Sequence, residues 1–76
     1  MNKTRRMSLR LAIEHLTSAA SIITTAKEDE QYALDNMPEN LQDSERCEAM
    51  ESAVDKLEDA IASISEARDY VDEAIA

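Results

Sequence analysis

The chain of 76 residues contains no glycine, no tryptophan and no phenylalanine, with one proline, one cysteine and one histidine. Without glycine, the tight primed turns that join neighbouring strands have no low-strain residue, so a multi-stranded sheet is excluded as the expected fold. Phosphate-cradling glycine loops and the glycine-centred calcium loop are excluded on the same ground. A single cysteine cannot build an intramolecular disulfide framework, which favours a reducing compartment. No uninterrupted apolar run approaches the length that crosses a bilayer. The opening MNKTRRMSLRLAIEHL lacks a secretory apolar region and a small-residue cleavage site. Its faint likeness to a transit peptide is outweighed by the apolar periodicity that already starts at Leu9.

What remains is mostly Ala, Ile, Leu, Met, Val and charge. The formal net charge is −9, with a pI near 4.4. Its distribution is uneven: Lys3, Arg5, Arg6 and Arg10 precede any acid, and all 17 acids follow. Such a surface disfavours nucleic acid and anionic membranes as partners and favours basic protein surfaces.

The apolar residues recur at alternating steps of three and four. One stripe is Leu9, Ile13, Leu16, Ala20, Ile23, Lys27, Glu30, Leu34 and Met37; the other is Cys47, Met50, Val54, Leu57, Ile61, Ile64, Arg68, Val71 and Ile75. This spacing keeps a stripe in register along an underwound helix and defines heptad positions a and d. An alanine ladder runs beside them at g positions, at Ala12, Ala19, Ala26 and Ala33 and again at Ala53, Ala60, Ala67 and Ala74. A stripe of a, d and g is wider than a two-stranded seam requires.

The expected fold is therefore all-α: an antiparallel two-helix coiled-coil hairpin, associating into a four-helix bundle. The helices are predicted at residues 4–36 and 44–76, joined by a loop at 37–43, as one domain. Pro38 disfavours helical geometry at Met37 and ends the first helix. Asn36 or Asn40 is expected in the left-handed region, and Asp43 or Ser44 is expected to cap the second helix. Arg6 and Arg10 are expected to approach Glu66, Asp69, Asp72 and Glu73 in the antiparallel arrangement. A weak internal repeat at an offset of 41 pairs Leu16 with Leu57, Ile23 with Ile64 and Lys27 with Arg68, and heptad demands alone can produce it.

No residue set encodes a reaction, so no enzyme activity, catalytic residue, cofactor or metal is expected. His15 stands alone at an outer position, and zinc chemistry needs further Cys or His ligands. Cys47 reads as a small buried hydrophobe. Glu28, Asp29 and Glu30 are consecutive on a helix and point apart. Lys27, Glu30 and Arg68 break the apolar stripe; either their stems lie on the core with the charges reaching solvent, or they set register.

Candidate interface residues are the outer apolar Leu11, Ile22, Tyr32 and Tyr70, together with the ladder alanines Ala12, Ala19, Ala26, Ala53, Ala60 and Ala67. Lys3, Arg5, Arg6 and Arg10 form a possible basic contact, as in a leucine-zipper basic region, although four bases are few. The acids Glu48, Glu51, Asp55, Glu58, Asp59, Glu66, Asp69, Asp72 and Glu73 could imitate a phosphate backbone or simply solvate an outer face.

The stretch from Leu34 through Pro38-Glu39-Asn40-Leu41-Gln42 to Arg46, followed by Glu48-Ala49-Met50-Glu51 and by Asp59-Ala60-Ile61 and Glu73-Ala74-Ile75, resembles short proteins of bacteriophages and mobile elements. Those have a PENLQ hinge ahead of an acidic helix. The resemblance covers residues 34–76. It implies a bacterial host cytoplasm and no enzyme activity.

Three functions follow as expectations. The first is a small acidic interaction module whose partners are itself, as a dimer, and an unknown protein. The second is a phage-encoded inhibitor of a host defence protein, acting as a nucleic-acid mimic. The third is a DNA-associated accessory protein that uses the basic N-terminus.

Overall fold

The computed structural model describes all 76 residues as two helices, α1 (Lys3–Asp35) and α2 (Glu45–Ile75), with a short 3₁₀ turn at Glu39–Leu41 between them. There is no strand. The helices pack antiparallel as a hairpin measuring 60 × 15 × 13 Å. No helix is long and apolar enough to cross a membrane.

Both helices start on a side-chain cap. Asn2 accepts from the Arg5 N–H at 2.8 Å, and the Ser44 hydroxyl accepts from the Cys47 N–H at 3.2 Å. Each satisfies one of the orphan donors of a first turn. Ser44, not Asp43, is the cap of α2, and Glu45 and Glu48 sit in its first turn, where the positive end of the helix dipole favours anions.

The chain reverses without the left-handed residue expected at Asn36 or Asn40: no residue has positive φ. Asn36 ends α1 at φ −100°, ψ 12°, and its own amide donates to the Tyr32 carbonyl at 2.7 Å. Pro38 is extended at φ −55°, ψ 143°, and the 3₁₀ turn follows, closed by Leu41 N–H to the Pro38 carbonyl at 2.8 Å. The Ser44 hydroxyl and N–H both donate to the Leu41 carbonyl, at 2.6 and 3.1 Å. One kink at proline and one tight turn thus achieve the reversal with right-handed backbone alone, so neither asparagine need pay the steric cost of the left-handed region.

Every residue of the two heptad stripes is buried or half-buried. Yet only 3 of 76 residues are buried outright: Cys47 and Val54 at 4% exposure and Ile75 at 9%. Two helices make one seam and no second layer.

The seam is mostly apolar, broken by Lys27, Glu30 and Arg68. All side-chain hydrogen bonds join residues five or fewer apart, so none links α1 to α2. The contacts expected between Arg6 or Arg10 and Glu66, Asp69, Asp72 or Glu73 do not form as hydrogen bonds. For the exposed Arg10, fixing two long side chains costs about as much as such a pair returns, roughly 0–1 kcal/mol; Arg6 instead lies half-buried in the a row.

Two substitutions separate these contributions. Val54→Ala should lower the unfolding free energy by about 2 kcal/mol through lost burial and the space left behind, and Ser44→Ala by about 1 kcal/mol through the lost cap. Ser52→Ala, on the exposed outer face of α2, should change it by less than about 0.5 kcal/mol. Urea denaturation followed by circular dichroism measures all three.

Candidate functional interface

In an antiparallel pair the two g rows flank the seam on one side and the two e rows flank it on the other. A shallow groove lined by Lys27, Glu28, Gln31, Tyr32, Asp35 and Glu58 marks the e side: Gln31 and Glu58 both directly follow a d residue, one on each helix. The g side therefore carries both alanine rows at once. Ala12, Ala19, Ala60 and Ala67 are half-buried at its floor, and Ala26, Ala33, Ala53 and Ala74 are exposed.

The two sides differ in charge. The positions next to the alanines, g and c, hold one acid, Asp29, with the bases Arg5, Arg46 and Lys56, and they include Ile22 (71% exposed) and Tyr70. The e and b positions hold nine acids, Glu14, Glu28, Asp35, Glu48, Glu51, Asp55, Glu58, Asp69 and Asp72, against Lys3 and Arg10. One long side of the hairpin is thus small, apolar and nearly neutral; the opposite side is acidic.

The four outer apolar candidates do not form one patch. Leu11, Ile22, Tyr32 and Tyr70 are all exposed, but Ile22 and Tyr70 border the alanine side, Tyr32 lines the groove on the e side, and Leu11 lies on the outer face of α1. Tyr70 donates its hydroxyl to Glu66 Oε1 at 3.1 Å, which orients the ring along α2. The basic candidates also scatter: Lys3 and Arg10 lie at e, Arg5 at g and Arg6 in the a row. They form no single row of the kind that a helix lays along a groove.

The charged residues of the stripes are half-buried. Nε of Arg68, and Nε of Arg6 one heptad before Ile13, are each shut off from solvent without a hydrogen-bond partner. An unpaired buried N–H costs about 1–3 kcal/mol, so these arginines are retained at a loss to the seam. Arg68→Met, which keeps the stem and removes the unpaired donor, should raise the unfolding free energy by about 1 kcal/mol. Calorimetry of the two proteins at equal concentration checks it.

No group of three or more His, Cys, Asp or Glu side chains converges as metal ligands do. His15 is exposed on the outer surface of α1. Cys47 is buried in the a row and free, with its thiol 3.7 Å from Glu51 Oε1. Burial pushes this thiol above its ordinary value of 9.0, and the carboxylates of Glu51, Asp43 and Glu48 push it the same way. The folded state therefore holds the thiol proton more tightly than the unfolded chain. The resulting stabilisation is complete below the ordinary thiol range and is lost as pH rises through the folded value. Alkylation of Cys47 should be slower in the native protein than in urea, and the fall in stability above about pH 9 should shrink in Cys47→Ala.

Some of these features lay beyond residue-by-residue reasoning. The Asn2 cap and the Gln31–Glu58 groove were both missed; a polar residue directly before the basic helix start was the only available sign of the first. No family model, curated protein or solved structure matches this chain.

Proposed function

We propose that this protein is a non-enzymatic interaction module of a bacteriophage or mobile element, working in the cytoplasm of the bacterial host. It self-associates into a four-helix bundle and acts by contact with another protein. The observation that carries this proposal is its uncovered surface. A compact monomer of 8.5 kDa exposes about 4,650 Å², and this hairpin exposes 5,708 Å². Its radius of gyration is 17.3 Å, against about 11 Å for a compact chain of this length. The surplus of about 1,000 Å² is similar to the roughly 800 Å² that each partner contributes to a stable interface. The hinge resemblance supports the phage or mobile-element setting.

A second proposal rests on the nine acids gathered on the e and b side: an inhibitor of a host defence protein that offers a phosphate-like row to a basic groove. It predicts binding to a host nuclease that weakens steeply as salt is raised. The reading as a DNA-associated accessory protein has less support, because its four bases scatter around α1.

Sedimentation equilibrium tests self-association. At micromolar concentration the protein should sediment at twice its chain mass of 8.5 kDa. A single species at the chain mass up to hundreds of micromolar would overturn the proposal.

A further inference from the structure

We infer that the second copy packs on the alanine side of the hairpin and lies reversed, with the two connections at opposite ends of the bundle. This rests on the self-association proposed above and specifies its face and its direction.

The face follows from charge and shape together. A copy laid on the e and b side would set nine acids against nine acids across a layer spacing of about 10 Å. That is near the Debye length at physiological salt, so the repulsion would be only partly screened. The alanine side offers one acid and three bases, and alanine lets the backbones of a second layer approach closely. Its exposed Ala26, Ala33, Ala53 and Ala74 flank the seam, so a copy seated there would also cover the half-wet edges of the a and d residues.

The direction follows from how the fold distributes charge along its length. The half remote from the connection comprises residues 1–19 and 61–76. It carries five cations, Lys3, Arg5, Arg6, Arg10 and Arg68, and five anions, Glu14, Glu66, Asp69, Asp72 and Glu73. It is neutral, so the whole net charge of −9 lies in residues 20–60, around the connection. Two copies stacked with their connections together would superpose two such halves within about 10 Å. Reversed copies separate them by about half of the 60 Å length, several Debye lengths. Each acidic half then lies against a neutral half that carries the basic start of α1.

The test places one spin label in the connection, using Asn40→Cys in a Cys47→Ala background, and measures the label-to-label distance in the dimer by pulsed electron resonance. The expected separation approaches the 60 Å length of the hairpin. A separation below about 25 Å, two helix diameters, overturns the reversed arrangement. Face choice is read by sedimentation of Ala26→Arg and Ser21→Arg, both at exposed positions of α1 on opposite sides. Ala26→Arg should weaken dimerisation at least tenfold, and Ser21→Arg should leave it within twofold; the reverse pattern overturns the choice of face. Ala33→Arg, at a second exposed alanine of the same row, repeats the reading, so a loss of helicity peculiar to one site does not decide the face. An unlabelled parent protein that stays monomeric fails the self-association proposal itself, a result separate from a dimer with the wrong distance.

Discussion

The whole molecule depends on one apolar seam between two helices. No hydrogen bond crosses it, and the residues lining it are mostly half-wet. A helix in a globular protein owes most of its stability to the burial of its apolar face. Here each helix has a single neighbour, so that burial stops halfway. Local devices such as the Ser44 cap and the Pro38 kink define where the helices begin and end. They do not add a second layer.

The same constraint organises the functional argument. The rows of small residues beside the seam make an apolar stripe wider than one neighbouring helix covers, and Ala26, Ala33, Ala53 and Ala74 stay exposed. Antiparallel pairing collects the alanines of both helices on one side and most of the acids on the other. The buried and unpaired Nε atoms of Arg6 and Arg68 fit this picture. They weaken the seam, which suits residues that select one register over others.

Much of the fold was legible in the sequence because the three-four spacing has only one regular solution, and the lack of glycine removes the sheet alternatives. All members of both stripes, Lys27, Glu30 and Arg68 included, sit in the seam. The connection was less legible. Asn36 and Asn40 suggested a left-handed turn because asparagine is the usual substitute for glycine, but extended geometry at Pro38 and a 3₁₀ turn need neither. The ion pairs expected across the open end were over-read from charge proximity alone, which says little about exposed long side chains. Of the interface candidates, the alanines could be listed from their spacing. Their gathering on one side, with Ile22 and Tyr70 beside them and Leu11 and Tyr32 apart, became visible only once both helices were set against each other.

The central claim is that the hairpin is completed by another copy of itself. The most direct measurement is the thermal unfolding midpoint over a hundredfold range of protein concentration. If folding and association are coupled, the midpoint rises steadily with concentration. A midpoint that does not move across that range would contradict the account, because it would mean that the single seam suffices alone.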